Sequence, residues 1–110
     1  MRNIIVIYCN NRITSKILER LLHDVEHFEI INVSDEESFR KEIKEHASDI
    51  YEYFIKDKVF STAINSFFKG ASTKPILVTS AFSLDQLSLN VKGVLETPFK
   101  KDEVENILEE

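Results

Sequence analysis

Ile4-Ile5-Val6-Ile7-Tyr8 is a run of five strand-forming residues with no polar position inside it. A strand with one wet face alternates apolar and polar side chains, whereas an unbroken run is satisfied only where both faces are covered. The run therefore predicts a central strand over Asn3 to Cys9, in a sheet with helices above and below. Asn10-Asn11-Arg12 supplies turn chemistry, after which Ile13, Ile17, Leu18, Leu21, Leu22 and Val25 recur at helical spacing. A first helix packing that stripe on the sheet is the expectation.

The same alternation continues to the end of the chain. Phe28 to Val33 reads as a second strand, and Ser34-Asp35-Glu36-Glu37 has the Ser-x-x-Glu spacing of a helix start. Phe39, Ile43 and Ala47 would anchor that second helix. Ile50 to Ile55 gives a third strand, followed by a helix with Val59, Phe60, Ala63, Ile64, Phe67 and Phe68 on one side, ending in a left-handed Gly70. Pro75 to Thr79 is the fourth strand. Ser83-Leu84-Asp85-Gln86 starts a fourth helix of two turns at most, and Val91 to Glu96 forms the fifth strand. Pro98 breaks it, and Val104, Ile107 and Leu108 give a last helix its inward edge. Strand and helix alternating in this way predict a flavodoxin-like α/β fold, a three-layer α/β/α sandwich around a five-stranded parallel sheet of order 2-1-3-4-5.

With 110 residues, two glycines and two prolines, the chain makes one domain, 1–110, without a linker-like stretch. The longest apolar runs fall far short of the roughly 20 residues of a membrane helix. A single cysteine forms no internal disulfide and no cleavable apolar segment follows Met1, so a cytoplasmic location is expected. The net charge of −5, with lysines and acids interleaved, argues against nucleic acid as a partner. His23 and His27 stand four apart, but without a third strong ligand they read as surface residues, and neither metal nor cofactor is expected.

Two stretches in the last third, Lys74-Pro75-Ile76-Leu77-Val78-Thr79-Ser80-Ala81 and Lys92-Gly93-Val94-Leu95-Glu96-Thr97-Pro98-Phe99, resemble the end of a response-regulator receiver (CheY-like) domain, the phosphoacceptor module of two-component signalling. The resemblance covers the whole chain in pattern but only Pro75 to Phe99 in motif. It implies a pocket at the carboxyl rim of the sheet, where the family carries an acidic pair, a phosphoacceptor aspartate, a hydroxyl and a lysine. Here the acidic pair matches Tyr8 and Cys9. Counting from Ser48-Asp49-Ile50, the acceptor falls on Phe54, and a register three residues later would place Asp57 there. The hydroxyl matches Ser80, the switch aromatic matches Val94, and the lysine before the proline matches Thr97. A groove so changed lacks the acids that hold magnesium and the cation that meets a phosphoryl group, which implies a pseudo-receiver without catalytic activity. The family's cis bond at Thr97-Pro98 is also implied.

Two other readings stand beside it. Asp57 could still serve as phosphoacceptor, and Cys9 at the end of the first strand resembles the phosphocysteine of lactose- and cellobiose-type enzyme IIB carriers, although the following Asn10-Asn11-Arg12-Ile13-Thr14-Ser15 has no glycine for a phosphate cradle. As a non-catalytic module the chain would act through a surface. Phe82, Leu84, Leu87 and Leu89 crowd the short fourth helix, which makes the face of the fourth helix, fifth strand and last helix the expected docking or dimerisation site, toward a protein partner, a fused kinase or output domain, or a second copy.

Overall fold

The computed structural model describes residues 2–80 and 89–109. Its strands are β1 (Ile4–Tyr8), β2 (Glu29–Val33), β3 (Ile50–Lys56), β4 (Ile76–Thr79) and β5 (Gly93–Glu96), and its helices α1 (Arg12–Val25), α2 (Glu36–His46), α3 (Thr62–Phe67) and α4 (Lys101–Glu109). Single 3₁₀ turns at Asp57–Val59 and Phe68–Gly70 flank α3. All strand pairs are parallel, and the sheet order is β2-β1-β3-β4-β5, the doubly wound arrangement read from the sequence. The fourth helix expected from Ser83 onward, with Phe82, Leu84 and Leu87, lies outside the described residues.

Central β1 is buried at every position, as its unbroken apolar run requires. Its side chains alternate between two cores. Ile5, Ile7 and Cys9 join Leu18 and Leu22 of α1, Phe54, Leu95, and Val104, Ile107 and Leu108 of α4. Ile4, Val6 and Tyr8 join Phe39 of α2, Tyr53, Ile55, Ile64 and Phe68. Phe39 is the centre of an aromatic cluster, with ring centroids 4.8 Å from Tyr8, 6.0 Å from Tyr53 and 6.3 Å from Phe68.

Local chemistry departs from the sequence reading at several points, one of them the third helix, where Val59 and Phe60 precede α3 and Ala63 and Phe67 are exposed, leaving Ile64 and Phe68 as the buried residues. The cap of α2 is Asp35 and not Ser34: its carboxylate accepts from the Ser38 N–H at 2.8 Å, because the helix begins one residue later than the Ser-x-x-Glu spacing implies. The inward face of α1 is Ser15, Leu18 and Leu22, which leaves Ile13 and Ile17 72 % and 49 % exposed. Ala47 ends α2 in an exposed position and anchors nothing. Gly70 closes a 3₁₀ turn without a positive φ, so the chain leaves α3 by tightening and not by a left-handed residue. The Thr97-Pro98 bond is cis.

Candidate functional site

Strand register sets where the site can be. Tyr8 pairs with Ile55, Lys56 with Val78, and Thr79 with Glu96, so the four strands β1, β3, β4 and β5 finish at one rim. Open parallel sheets bind ligands at this carboxyl edge. A cavity of about 350 Å³ opens there, lined by Asn10, Asn11, Thr14, Lys56, Lys58, Ser80 and Thr97. Ser80 and Thr97 both line it. Thr97 is tied to β4 by its N–H, which donates to the Thr79 carbonyl at 2.8 Å.

The other predicted positions go elsewhere. Tyr8 is buried against Phe39 in the α2 core, and burial, with Glu36 and Asp35 adding to it, raises its phenol pKa. Cys9 turns toward β2, into a second cavity with Asn10, Arg12, Ser15, Lys16, Glu19, Asn32, Val33 and Ser34. Its Sγ–H donates to the Asn11 carbonyl at 3.3 Å and its sulfur accepts from the Asn11 N–H at 3.4 Å. Beside it the Ser15 hydroxyl donates to Asn32 Oδ1 at 2.5 Å and Asn32 Nδ2 to Glu19 at 2.7 Å.

Phe54 is wholly enclosed (0 % exposed) in the α1 and α4 core. It stands two residues before the rim, on the face that Lys56 shares one pleat later. Strand β3 takes up an extra residue where the pairing jumps from Ile4 with Ile50 to Ile5 with Glu52. That bulge moves everything after it along the strand. A count from Ser48-Asp49-Ile50 does not see it. The side chain that β3 delivers into the cavity is Lys56, 7 % exposed. Asp57 lies just beyond, beside the cavity and not in its lining. Its Oδ2 accepts from the Thr79 hydroxyl at 2.8 Å, and its Oδ1 sits 3.5 Å from the Lys56 ammonium, enclosed and without a hydrogen bond.

Against the expectation of a rim without a cation to meet a phosphoryl group, Lys56 and Lys58 line the groove, while among the described residues no carboxylate does. The signal for Lys56 was present in the alternation of Tyr53, Phe54, Ile55 and Lys56, which puts Lys56 and Asp57 on opposite faces. Magnesium needs oxygen ligands, commonly one or two carboxylates, and two ammonium groups with hydroxyls and amides do not fit it. Elsewhere, Glu42, Glu45 and His46 at the end of α2 bring metal-type donor atoms within 4.8 Å of one another; His46 Nε2 pairs with Glu42 at 3.3 Å. His23 and His27 belong to no such group among the described residues.

The opposite rim holds a buried carboxylate. Glu52 is 3 % exposed; its Oε1 accepts from the Tyr53 N–H at 2.9 Å and its Oε2 lies 3.6 Å from Lys92 Nζ, which also donates to the Leu108 carbonyl at 3.1 Å. Burial pushes its pKa from 4.5 to about 7 against the opposing pull of the Tyr53 N–H and Lys92. Burial and the nearby Glu52 carboxylate raise Tyr53 as well.

No protein-family model matches the sequence. No curated protein matches it either. Solved structures do match. A signal receiver domain of two-component signal transduction (histidine kinase) from Clostridium thermocellum superposes with a TM-score of 0.79 at 12 % identity, covering 98 % of this chain and 95 % of that one. A response regulator receiver domain protein from the same organism gives 0.76 at 14 % identity, over 99 % and 92 % of the two chains. A two-component response regulator from Legionella pneumophila gives 0.76 at 12 %, over 97 % and 95 %. The fold is that of a response-regulator receiver domain. The cavity holding Lys56, Ser80 and Thr97 lies at the carboxyl rim of that sheet, and its described charged residues are lysines.

Proposed function

We propose that this receiver fold is a pseudo-receiver, a non-enzymatic signalling domain that works by phosphorylation-independent protein contact. The observation that carries the reading is Lys56, a lysine at the rim end of β3 in a cavity without carboxylates among the described residues. Phosphoryl transfer is catalysed almost wholly by positioning and charge neutralisation through a metal, and this donor set supports neither a metal nor an aspartyl acceptor. Asp57 is engaged by Thr79 and Lys56, and Cys9 faces a different cavity. A cytoplasmic setting, beside or fused to a kinase or output domain, goes with this reading.

Contact would use apolar surface that the fold leaves uncovered. Ile13 and Ile17 on α1 stand exposed, and Ile17 continues into an apolar hollow with Thr14, Thr97, Pro98 and Phe99. Leu89 is half-buried at the start of the second described segment, and Phe82, Leu84 and Leu87 precede it in sequence as further candidates for docking or self-association. The test is exposure to acetyl phosphate with magnesium, followed by intact-mass measurement. No phosphoryl adduct is expected; an acid-stable but base-labile adduct on Asp57, or one on Cys9, would overturn the proposal.

A further inference from the structure

We infer that the cavity at the carboxyl rim is a binding site for a phosphate-type oxyanion, held non-covalently where an acid pocket would hold a divalent cation. The inference is independent of whether the domain docks on a protein. Buried lysines are rare unless paired, because an ammonium out of water must recover its lost hydration. Lys56 is 7 % exposed, and its partner Asp57 stands 3.5 Å away, with Asp57 Oδ1 making no hydrogen bond. An ammonium has three protons to donate, so an ion pair of this kind leaves it donors to turn on a ligand.

The other described lining residues are complementary to the same charge. Lys58 is exposed at the mouth and adds a second cation. Thr14, Ser80 and Thr97 offer hydroxyls, and Asn10 and Asn11 offer side-chain amides. The 14-residue α1 begins at Arg12 against this cavity; Asn11 Oδ1 takes the Ile13 and Thr14 N–H groups, so what the helix adds for an anion is the positive end of its dipole. The opposing charge is Asp57, whose Oδ2 is taken by Thr79 and which does not line the cavity. Among the described residues, two cations line the cavity and the nearby carboxylate, Asp57, stands outside its lining. A carboxylate or halide would use only part of this donor set. A tetrahedral dianion uses most of it, and 350 Å³ is at the lower end of the range of small-molecule pockets, enough for a short phosphate ester.

Phosphate stabilises many folds by exclusion from their surfaces, so the readout must be local. The experiment is a titration of ¹⁵N-labelled protein with inorganic phosphate and, separately, with glycerol phosphate, against chloride at matched ionic strength, followed by amide shifts. Saturable shifts clustered at Asn10, Asn11, Thr14, Lys58, Ser80 and Thr97 are expected with phosphate and not with chloride. Binding of the ester more tightly than inorganic phosphate would identify the occupant as an organic phosphate; the reverse order would identify the free ion. Lys58→Gln, on an exposed side chain that leaves the core untouched, should weaken binding roughly tenfold, the effect of losing one charge-assisted hydrogen bond. Lys56→Met should abolish it. Shifts scattered over surface lysines, shifts equal in chloride, or binding unchanged in Lys58→Gln would each overturn the site, as would magnesium shifting the same residues.

Discussion

Glu52→Gln probes a carboxylate whose ionisation the fold resists. In the folded chain Glu52 titrates near 7, against an ordinary value of 4.5, because burial outweighs the help of the Tyr53 N–H and Lys92. The sign follows from proton counts: between those two values the folded state holds a proton that the unfolded state has released, so stability falls as pH rises through this window. Below 4.5 both states are protonated and the group contributes nothing to the slope; above 7 the folded chain carries the full cost of a buried charge. A shift of this size corresponds to about 3 kcal/mol. Glutamine keeps an oxygen for the Tyr53 N–H and removes the charge, while Lys92 retains the Leu108 carbonyl. Urea unfolding of both proteins at intervals from pH 4.5 to 8 gives the difference in stability, glutamine variant minus parent. It should climb by about 3 kcal/mol across the window, or about 12 °C in Tm for a domain of this length. A flat difference would mean that the Lys92 pair fully offsets burial. A falling one would mean that attraction to Lys92 dominates, and either result refutes the reasoning.

Other perturbations separate local causes. Asp35→Ala should cost about 1 kcal/mol through loss of the α2 cap, while Ser34→Ala should stay within about 0.5 kcal/mol; equal losses in thermal unfolding would restore Ser34 as the cap. Gly70 has no positive φ, and a Cβ built on it meets nothing within 4 Å. Gly70→Ala should therefore stabilise by about 0.4 to 1 kcal/mol by narrowing the unfolded ensemble, and a loss in denaturant midpoint would contradict this. Phe39→Ala, at the centre of the aromatic cluster, should cost about 3 to 5 kcal/mol by chemical denaturation. Ile17→Asp, on exposed surface, should leave stability within about 0.5 kcal/mol while weakening any self-association seen by sedimentation; a large stability loss would show that Ile17 is core.

The fold was legible because its signals are periodic and redundant. Ile4 to Tyr8 could only be a strand covered on both faces, and each later strand was bounded by turn or capping chemistry, so errors of one or two residues at the ends did not alter topology. The site was less legible because it depends on single-residue register. One bulge in β3, invisible to a count of residues, puts Phe54 in the core and Lys56 at the rim. Ile13 and Ile17 fit the helical spacing of α1 as well as Leu18 and Leu22 do, and periodicity alone did not tell which side of that broad stripe meets the sheet. Ser34 and Asp35 are both competent caps in adjacent positions, and only the first residue to adopt helical backbone angles decides between them.

The rim can exchange its chemistry because the two cores do not depend on it. Ile5, Ile7, Phe54 and Leu95 on one face, and Val6, Tyr53, Ile55 and Phe39 on the other, close below the last paired residues of the sheet. What lies above them is held by short-range contacts: Thr97 to the Thr79 carbonyl, Asp57 to the Thr79 hydroxyl, Asp57 to Lys56. In an acid pocket a carboxylate here has to stay free for a metal, and clustered carboxylates repel one another, so function opposes stability. With Lys56 in the cavity that conflict is gone, since Asp57 can be fixed between a hydroxyl and an ammonium and cross-link the ends of β3 and β4. Two lysines, with no carboxylate among the described lining residues, favour an anion over a cation, and this is why the rim is better tested with an oxyanion than with magnesium.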